Sequence, residues 1–126
     1  MVGNKLSVSV ISPEKIIYSG DADSVNLPGV NGELGILWNH APLISELGVG
    51  VVKIMDNNDP IVMAIDGGFV EIRNNQINIL ANSGEIKENI KEEIAKNMLE
   101  EAEKMAPSLE KQKLLKKAKT RISLLK

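Results

Sequence analysis

Apolar and polar residues alternate in short runs along the first two thirds of the chain. In Lys5-Leu6-Ser7-Val8-Ser9-Val10-Ile11 the residues Leu6, Val8 and Val10 share one face, the period-two pattern of a half-buried strand. The turn cluster Ser12-Pro13-Glu14-Lys15 interrupts the run, and residues 16–18 resume extended chain. Ser24-Val25-Asn26-Leu27 alternates again and stops at Pro28-Gly29, and Asn31-Gly32 signals a tight turn. Two more strands are expected at 51–55 and 61–65, around the hairpin tip Asp56-Asn57-Asn58-Asp59-Pro60. Another pair is expected at 69–72 and 76–80, around Asn74-Asn75. Strands at this spacing, joined by such turns, predict an antiparallel sandwich or barrel over residues 1–84.

After Asn82-Ser83-Gly84 the period lengthens. Ile90, Ile94, Met98, Ala102 and Met105 recur at spacings of three and four and fall on one helix face. Asn89, with Glu92 three residues on, has the pattern of a capping box. Pro107 breaks the periodicity, Ser108 is placed to cap a second helix, and Leu115, Ala118, Ile122 and Leu125 line its apolar stripe. Residues 85–126 are therefore expected to form an antiparallel helix hairpin. A segment this short lies near the roughly 40-residue floor for independent folding, and its stripes are rich in Ala and Met. The hairpin must dock on something, either the sandwich or another protein, and two such docking sites would make it a switch.

Composition narrows the function classes. The chain has 126 residues, about one domain's worth. With 43% hydrophobic and 25% charged residues it is neither disordered nor collagen-like. It has no cysteine, which excludes a disulfide scaffold, a thiolate zinc site and a thiol nucleophile. A single histidine, His40, argues against a metal site built on histidines. No apolar run approaches the roughly 20 residues of a membrane span, and the first residues lack a signal-peptide pattern. A cytosolic or membrane-peripheral chain is expected. The net charge of −2 is segregated: −5 over residues 1–84, −3 over 85–106 and +6 over 107–126.

The catalytic inventory is thin. His40 is the only ordinary acid–base group titrating near neutrality, and no nucleophile-elbow motif accompanies it. The glycines of Pro28-Gly29-Val30-Asn31-Gly32-Glu33-Leu34-Gly35 lack the Gly-Lys-Ser/Thr of a phosphate loop and read as turn glycines. The basic second helix carries Lys113, Lys116, Lys117, Lys119, Arg121 and Lys126. A net acidic chain is a poor nucleic-acid reader, and a helix without aromatic anchors is a poor lipid binder. An acidic protein surface is the expected partner.

Two blocks are distinctive together: Gly32-Glu33-Leu34-Gly35-Ile36-Leu37-Trp38-Asn39-His40-Ala41-Pro42-Leu43, and Asp66-Gly67-Gly68-Phe69-Val70-Glu71-Ile72 followed by Gln76-Ile77-Asn78-Ile79-Leu80-Ala81. With the strand-rich start and the helix hairpin, they closely resemble the epsilon subunits of bacterial F-type ATP synthases, called delta in mitochondria. The resemblance spans about residues 5–125. It implies a ten-stranded antiparallel β-sandwich followed by a two-helix hairpin, and a non-catalytic place in the rotor stalk at the cytoplasmic face of the membrane. The implied partners are the gamma subunit and the c-ring, with contact residues at Glu33, Trp38 and His40. When the hairpin extends, the alpha and beta subunits of the catalytic head become partners, met by the basic helix (Lys113, Lys116, Lys117, Lys119, Arg121), which inhibits ATP hydrolysis. The family commonly has Pro-Gly where this chain has Trp38-Asn39.

Some family members bind ATP as a regulatory ligand through an Ile/Leu-Asp-x-x-Arg-Ala pattern preceded by a glutamate. Glu85, Ile90 and Ala95 match it. Lys91 replaces the Asp and Ile94 the Arg, which removes the bidentate donors a phosphate would use. No cofactor is expected, and a free-standing nucleotide-sensing module is the weaker alternative. A ligand at about 100 times its Kd would add roughly 2.7 kcal/mol to the form it binds; without it, packing and ion pairing set the hairpin's balance. Titration calorimetry on the isolated chain is expected to show no ATP binding at micromolar concentrations.

Overall fold

Residues 4–126 are described by a computed structural model of the chain; residues 1–3, the start of the expected sandwich segment, lie outside it. Eight strands come first: β1 (Leu6–Ile11), β2 (Ile16–Ala22), β3 (Ser24–Gly29), β4 (Gly32–Ile36), β5 (Leu43–Asp56), β6 (Asp59–Arg73), β7 (Gln76–Ala81) and β8 (Gly84–Ile86). A 3-10 turn (Lys87–Asn89) leads to α1 (Glu92–Lys104) and α2 (Leu109–Leu124). The strands hydrogen-bond in the order β2-β1-β7-β6-β5-β3-β4, with β8 also on β6.

Among the described residues the expected ten strands are eight, because β5 and β6 are unusually long. At about 3.3 Å per residue a straight 15-residue strand would span roughly 50 Å, too far for so small a core. Both strands bend instead and serve two layers. β5 shifts register against β3 between Asn26 and Gly29. β6 pairs with β8 through residues 63–65 and with β7 through residues 68–73. The bend in β6 lies at Gly67 and Gly68, whose φ angles are +90° and +144°. A Cβ on Gly68 would collide with the Leu80 carbonyl oxygen. One ladder departs from the antiparallel expectation: β1 lies parallel to β7, Val8 opposite Ile77 and Val10 opposite Ile79. The β5–β6 and β6–β7 tips, Asn57-Asn58 and Asn74-Asn75, have positive φ at both residues, the tight turn that matches strand twist.

Alternation places the core as expected. Leu6, Val8, Val10, Val25, Leu27, Val52, Ile54, Ile77 and Ile79 are buried, joined by Met63, Ile65, Val70 and Ile72 of β6. A second, smaller cluster forms on the other face of β6, where Ala64 meets Ile90 and Ala95, with Ile122 and Leu124 against it. The hairpin therefore docks on the sandwich through small side chains.

Three local expectations change. The first helix begins at Glu92 behind Lys91, without a side-chain cap, and Asn89 closes the 3-10 turn instead. Ile94 points outward, 53% exposed, because the buried stripe of α1 runs through Ala95 and Ala102. Leu125 ends α2 at the surface rather than within its stripe. Ser108 does cap α2, accepting from the Lys111 N–H at 3.0 Å.

Gly68→Ala is expected to destabilise the chain by about 2–4 kcal/mol, from positive-φ strain plus the backbone collision. Urea unfolding measures it, and a change below about 0.5 kcal/mol would contradict the tight bend.

Candidate functional site

The period-two pattern of β6 turns Ile65 into the main core and Ala64 and Asp66 toward the hairpin. On α2, Ala118 and Arg121 are three residues apart and share the buried face. Among the described residues the buried charged side chains are those of Asp66 and Arg121, 8% and 6% exposed. Arg121 Nη1 donates to Asp66 Oδ1 at 2.8 Å and Nη2 to Oδ2 at 2.7 Å, a fork on a carboxylate. Arg121 Nε donates to Glu85 Oε1 of β8 at 3.0 Å, and Nη1 also reaches the Lys117 carbonyl at 3.2 Å. The Ser83 hydroxyl donates to Asp66 Oδ2. Among the described residues no buried side-chain nitrogen or oxygen lacks a partner.

The electrostatics hold both groups ionised. Burial pushes the Asp66 carboxyl up, but the hydrogen bonds from Arg121 and Ser83 and the Arg121 charge outweigh it and hold the carboxyl below the ordinary aspartate range. Burial disfavours the Arg121 cation, and hydrogen bonding to Asp66 more than restores it. Such a pair adds little against a well-packed apolar contact, yet removing one partner strands a buried charge at a cost of about 3–5 kcal/mol. The arrangement is a latch. It fixes where α2 sits and punishes any shift that separates the charges.

The resemblance-derived residues are distributed differently from their grouping by sequence. Trp38 and His40 lie in the loop between β4 and β5. There the Asn39 N–H donates to Asn75 Oδ1 at 2.6 Å, bracing the loop on the β6–β7 tip. Trp38 is 39% and Leu37 64% exposed. His40 Nδ1 lies 2.7 Å from the Ala41 carbonyl, a contact made by the ring protonated at that nitrogen. Glu33 pairs with Pro28 toward the opposite end of β4, with no hydrogen bond or ion pair to Trp38 or His40 among the described residues. Lys113, Lys116 and Lys117 line a cleft between α2 and the sandwich, and Lys119 is exposed. Arg121, expected beside them as a free basic group, is buried in the latch. Glu85 holds Arg121, while Ile90 and Ala95 belong to the second core cluster.

Sequence reasoning missed Asp66 and Ser83. A signal existed: a carboxylate following Met63-Ala64-Ile65 in a fully buried run requires a cation, and Arg121 is the only arginine of the hairpin.

A bent β-sandwich carrying a charge-latched helix hairpin defines the class. Residues 5–87 match the family model for the ATP synthase delta/epsilon chain, beta-sandwich domain. The chain is 52% identical over 122 residues to the ATP synthase epsilon chain of Leptospira interrogans, covering 97% of this chain and 96% of that protein. It is 46% identical over 99 residues to the epsilon chain of Trichodesmium erythraeum, covering 79% and 72%. The fold also matches a chain in the cryo-EM structure of the Euglena gracilis mitochondrial ATP synthase (OSCP, F1 and c-ring), with TM-score 0.84 at 17% identity over all of this chain and 84% of that one. A chain in the Tetrahymena thermophila central stalk and c-ring structure matches at TM-score 0.65. The chain belongs to the ATP synthase delta/epsilon family, and its likeness to epsilon chains extends through the hairpin.

Asp66→Asn and Arg121→Gln are each expected to weaken docking by about 3–5 kcal/mol, read as faster amide exchange in α2 while β1 and β7 stay protected. Because the docked state lowers the Asp66 pKa, its contribution is complete above the free aspartate value. It is lost as pH falls below about 4, through the depressed docked value. In wild type, α2 exchange corrected for its intrinsic pH dependence should rise only below that point. A rise already at pH 6 would contradict the assignment.

Proposed function

We propose that this chain, a non-catalytic epsilon-type subunit, works in the central stalk of its ATP synthase and couples rotation there. Its sandwich sits between a gamma-type subunit and the c-ring, at the cytoplasmic face of the membrane. Among the described residues no helix is long and apolar enough to cross a membrane, which fits a peripheral place. The exposed Leu37-Trp38 knob, braced by the Asn39–Asn75 contact, is the candidate c-ring contact, with His40 beside it and Glu33 on the adjoining strand. A rigid loop carrying a large apolar tip loses little entropy on docking.

The regulatory half of the proposal rests on one observation, the Arg121–Asp66–Glu85 latch. Latched, the hairpin holds its basic helix on the sandwich, with Lys113, Lys116 and Lys117 turned toward the sheet. Released, the same helix offers a net positive surface to the acidic surface expected on the alpha and beta subunits and restrains ATP hydrolysis. Opposite charges would speed that encounter and make it salt-sensitive. The nucleotide-sensing alternative is less well supported. Its three matched positions are engaged otherwise, Glu85 with Arg121 and Ile90 and Ala95 in the core under the hairpin.

Two changes in the assembled enzyme test this with opposite signs. Removing residues 87–126, beyond β8, should raise ATP hydrolysis several-fold without loss of assembly. Asp66→Asn, which frees the hairpin, should lower it. Hydrolysis unchanged by both would leave coupling as the sole role.

A further inference from the structure

The loop between β4 and β5 contains a closed turn. Its four residues are Leu37, Trp38, Asn39 and His40, and the His40 N–H donates to the Leu37 carbonyl at 3.2 Å. Asn39, the third residue, has a φ of +63°. Proline at the second position and glycine at the third would set such a turn by themselves. This chain has neither. Trp38 lacks a ring that fixes φ, and a left-handed asparagine is less at ease than glycine. The hold on this turn has to come from outside it.

Asn75 supplies the hold. The Asn39 N–H donates to Asn75 Oδ1 at 2.6 Å, and Asn75 Nδ2 donates to Asn39 Oδ1 at 3.4 Å. Asn75 is itself anchored, because its backbone carbonyl accepts the Ser7 N–H, just inside β1, at 2.9 Å. Glycine would suit its place in the β6–β7 tip better, since Asn75 has a φ of +61°. The β5–β6 tip makes a useful contrast. Asn58 holds the same place there with a φ of +64° and is exposed. Asn75 is half-buried, and both ends of its carboxamide are bonded. Two positions that favour glycine thus carry asparagines that clip one loop to another.

The clip carries Leu37 and Trp38, both exposed. A loop that is ordered only on binding gives up backbone and side-chain freedom at that moment, and a loop already held does not. Trp38 combines a broad apolar ring with one N–H donor. It fits a partner surface with an apolar recess and a hydrogen-bond acceptor.

We infer that Asn75 is a positioning residue for the ring contact and Trp38 the anchor that it positions. The carboxamide of one tip holds the turn of another loop, so that Trp38 is presented in its bound arrangement before the c-ring is met. The inference rests on the stalk placement proposed above. It goes further by separating the residue that makes the contact from the residue that acts through it.

Trp38 is the only tryptophan of the chain, so its fluorescence reports on the turn directly. In the full chain, Asn75→Gly should enlarge the nanosecond component of the Trp38 anisotropy decay. Asn58→Gly should not, nor should Asn75→Asp, which keeps the acceptor for the Asn39 N–H. Amide protection of β1 and β7 at wild-type level in Asn75→Gly is expected, and its loss would make Asn75 a folding residue and overturn its positioning role. The chain in complex with its gamma-type subunit is then titrated with the purified c-ring of the same organism. Asn75→Gly should weaken that binding about fivefold, and Trp38→Ala about tenfold. Asn58→Gly should stay within about twofold of wild type, and Asn75→Asp should bind more tightly than Asn75→Gly. Once Trp38 is alanine, Asn75→Gly should cost little more, because no anchor is left to position. Additive losses in the double variant would overturn the positioning role. Wild-type affinity in Trp38→Ala, or in an Asn75→Gly chain whose Trp38 is loosened, would overturn the inference as a whole. Failure of the wild-type complex to bind the c-ring would instead overturn the stalk placement itself.

Discussion

The guanidinium of Arg121 organises everything that distinguishes this chain from a bare sandwich. It bridges two strands and a helix, donating to both oxygens of Asp66 on β6 and to one oxygen of Glu85 on β8. Around it the apolar contact is modest, with Ala64, Ala95, Ala118 and Ile90 at the buried positions. Alanines bring backbones close but bury little area each, and the larger Ile122 and Leu124 are only partly buried, so apolar shape alone defines the helix position weakly. The charges supply that definition. A helix turned by one residue, about 100°, would carry Arg121 out of reach of Asp66 and leave the carboxylate buried alone.

The latch in turn depends on the bend in β6. Gly67 and Gly68 adopt φ values that other residues resist, and they let the strand leave β8 and join β7. The same bend brings the chain after β7 back beside Asp66. There the Ser83 carbonyl accepts the Asp66 N–H at 2.9 Å, and the Ser83 hydroxyl reaches the carboxylate. Ser83 and the glycine pair thus position the carboxylate that the helix meets. The Asp66-Gly67-Gly68 sequence is one device: a bend and the anion beside it.

Much of this was legible in the residues. Alternation located β1, β3, β7 and parts of β5 and β6 with much of the main core, because each strand buries one face and period two records that directly; β4, β8 and the first half of β5 carried no such pattern and were not expected. The double-Asn tips and the Ser108 cap were readable from local chemistry. The strand count and the parallel β1–β7 ladder were not, since both follow from long-range bending and pairing that leave no local period. The α1 stripe was misread at Ile94 because hydrophobicity outweighed size. The docking face selects small residues, so Ala95 is inside and the isoleucine beside it outside. Arg121 was the harder case. Seen within a run of lysines it looks like one more solvated cation, and only the position of Asp66 on the facing strand separates it from them.

An ionic latch suits a part that must let go. A hairpin held by large apolar side chains would dock more tightly, but its release would expose two greasy surfaces to water, a cost of about 25 cal/mol for each Å², and an aggregation hazard besides. Asp66, Glu85 and Arg121 behave differently. Each is expensive to bury unpaired and well solvated once free, so the docked state demands the full set of bonds while the open state is tolerated in water. Small apolar side chains beneath keep the residual hydrophobic exposure low. The result is a contact that is specific when closed and harmless when open, and its definition lies in three charges rather than in area.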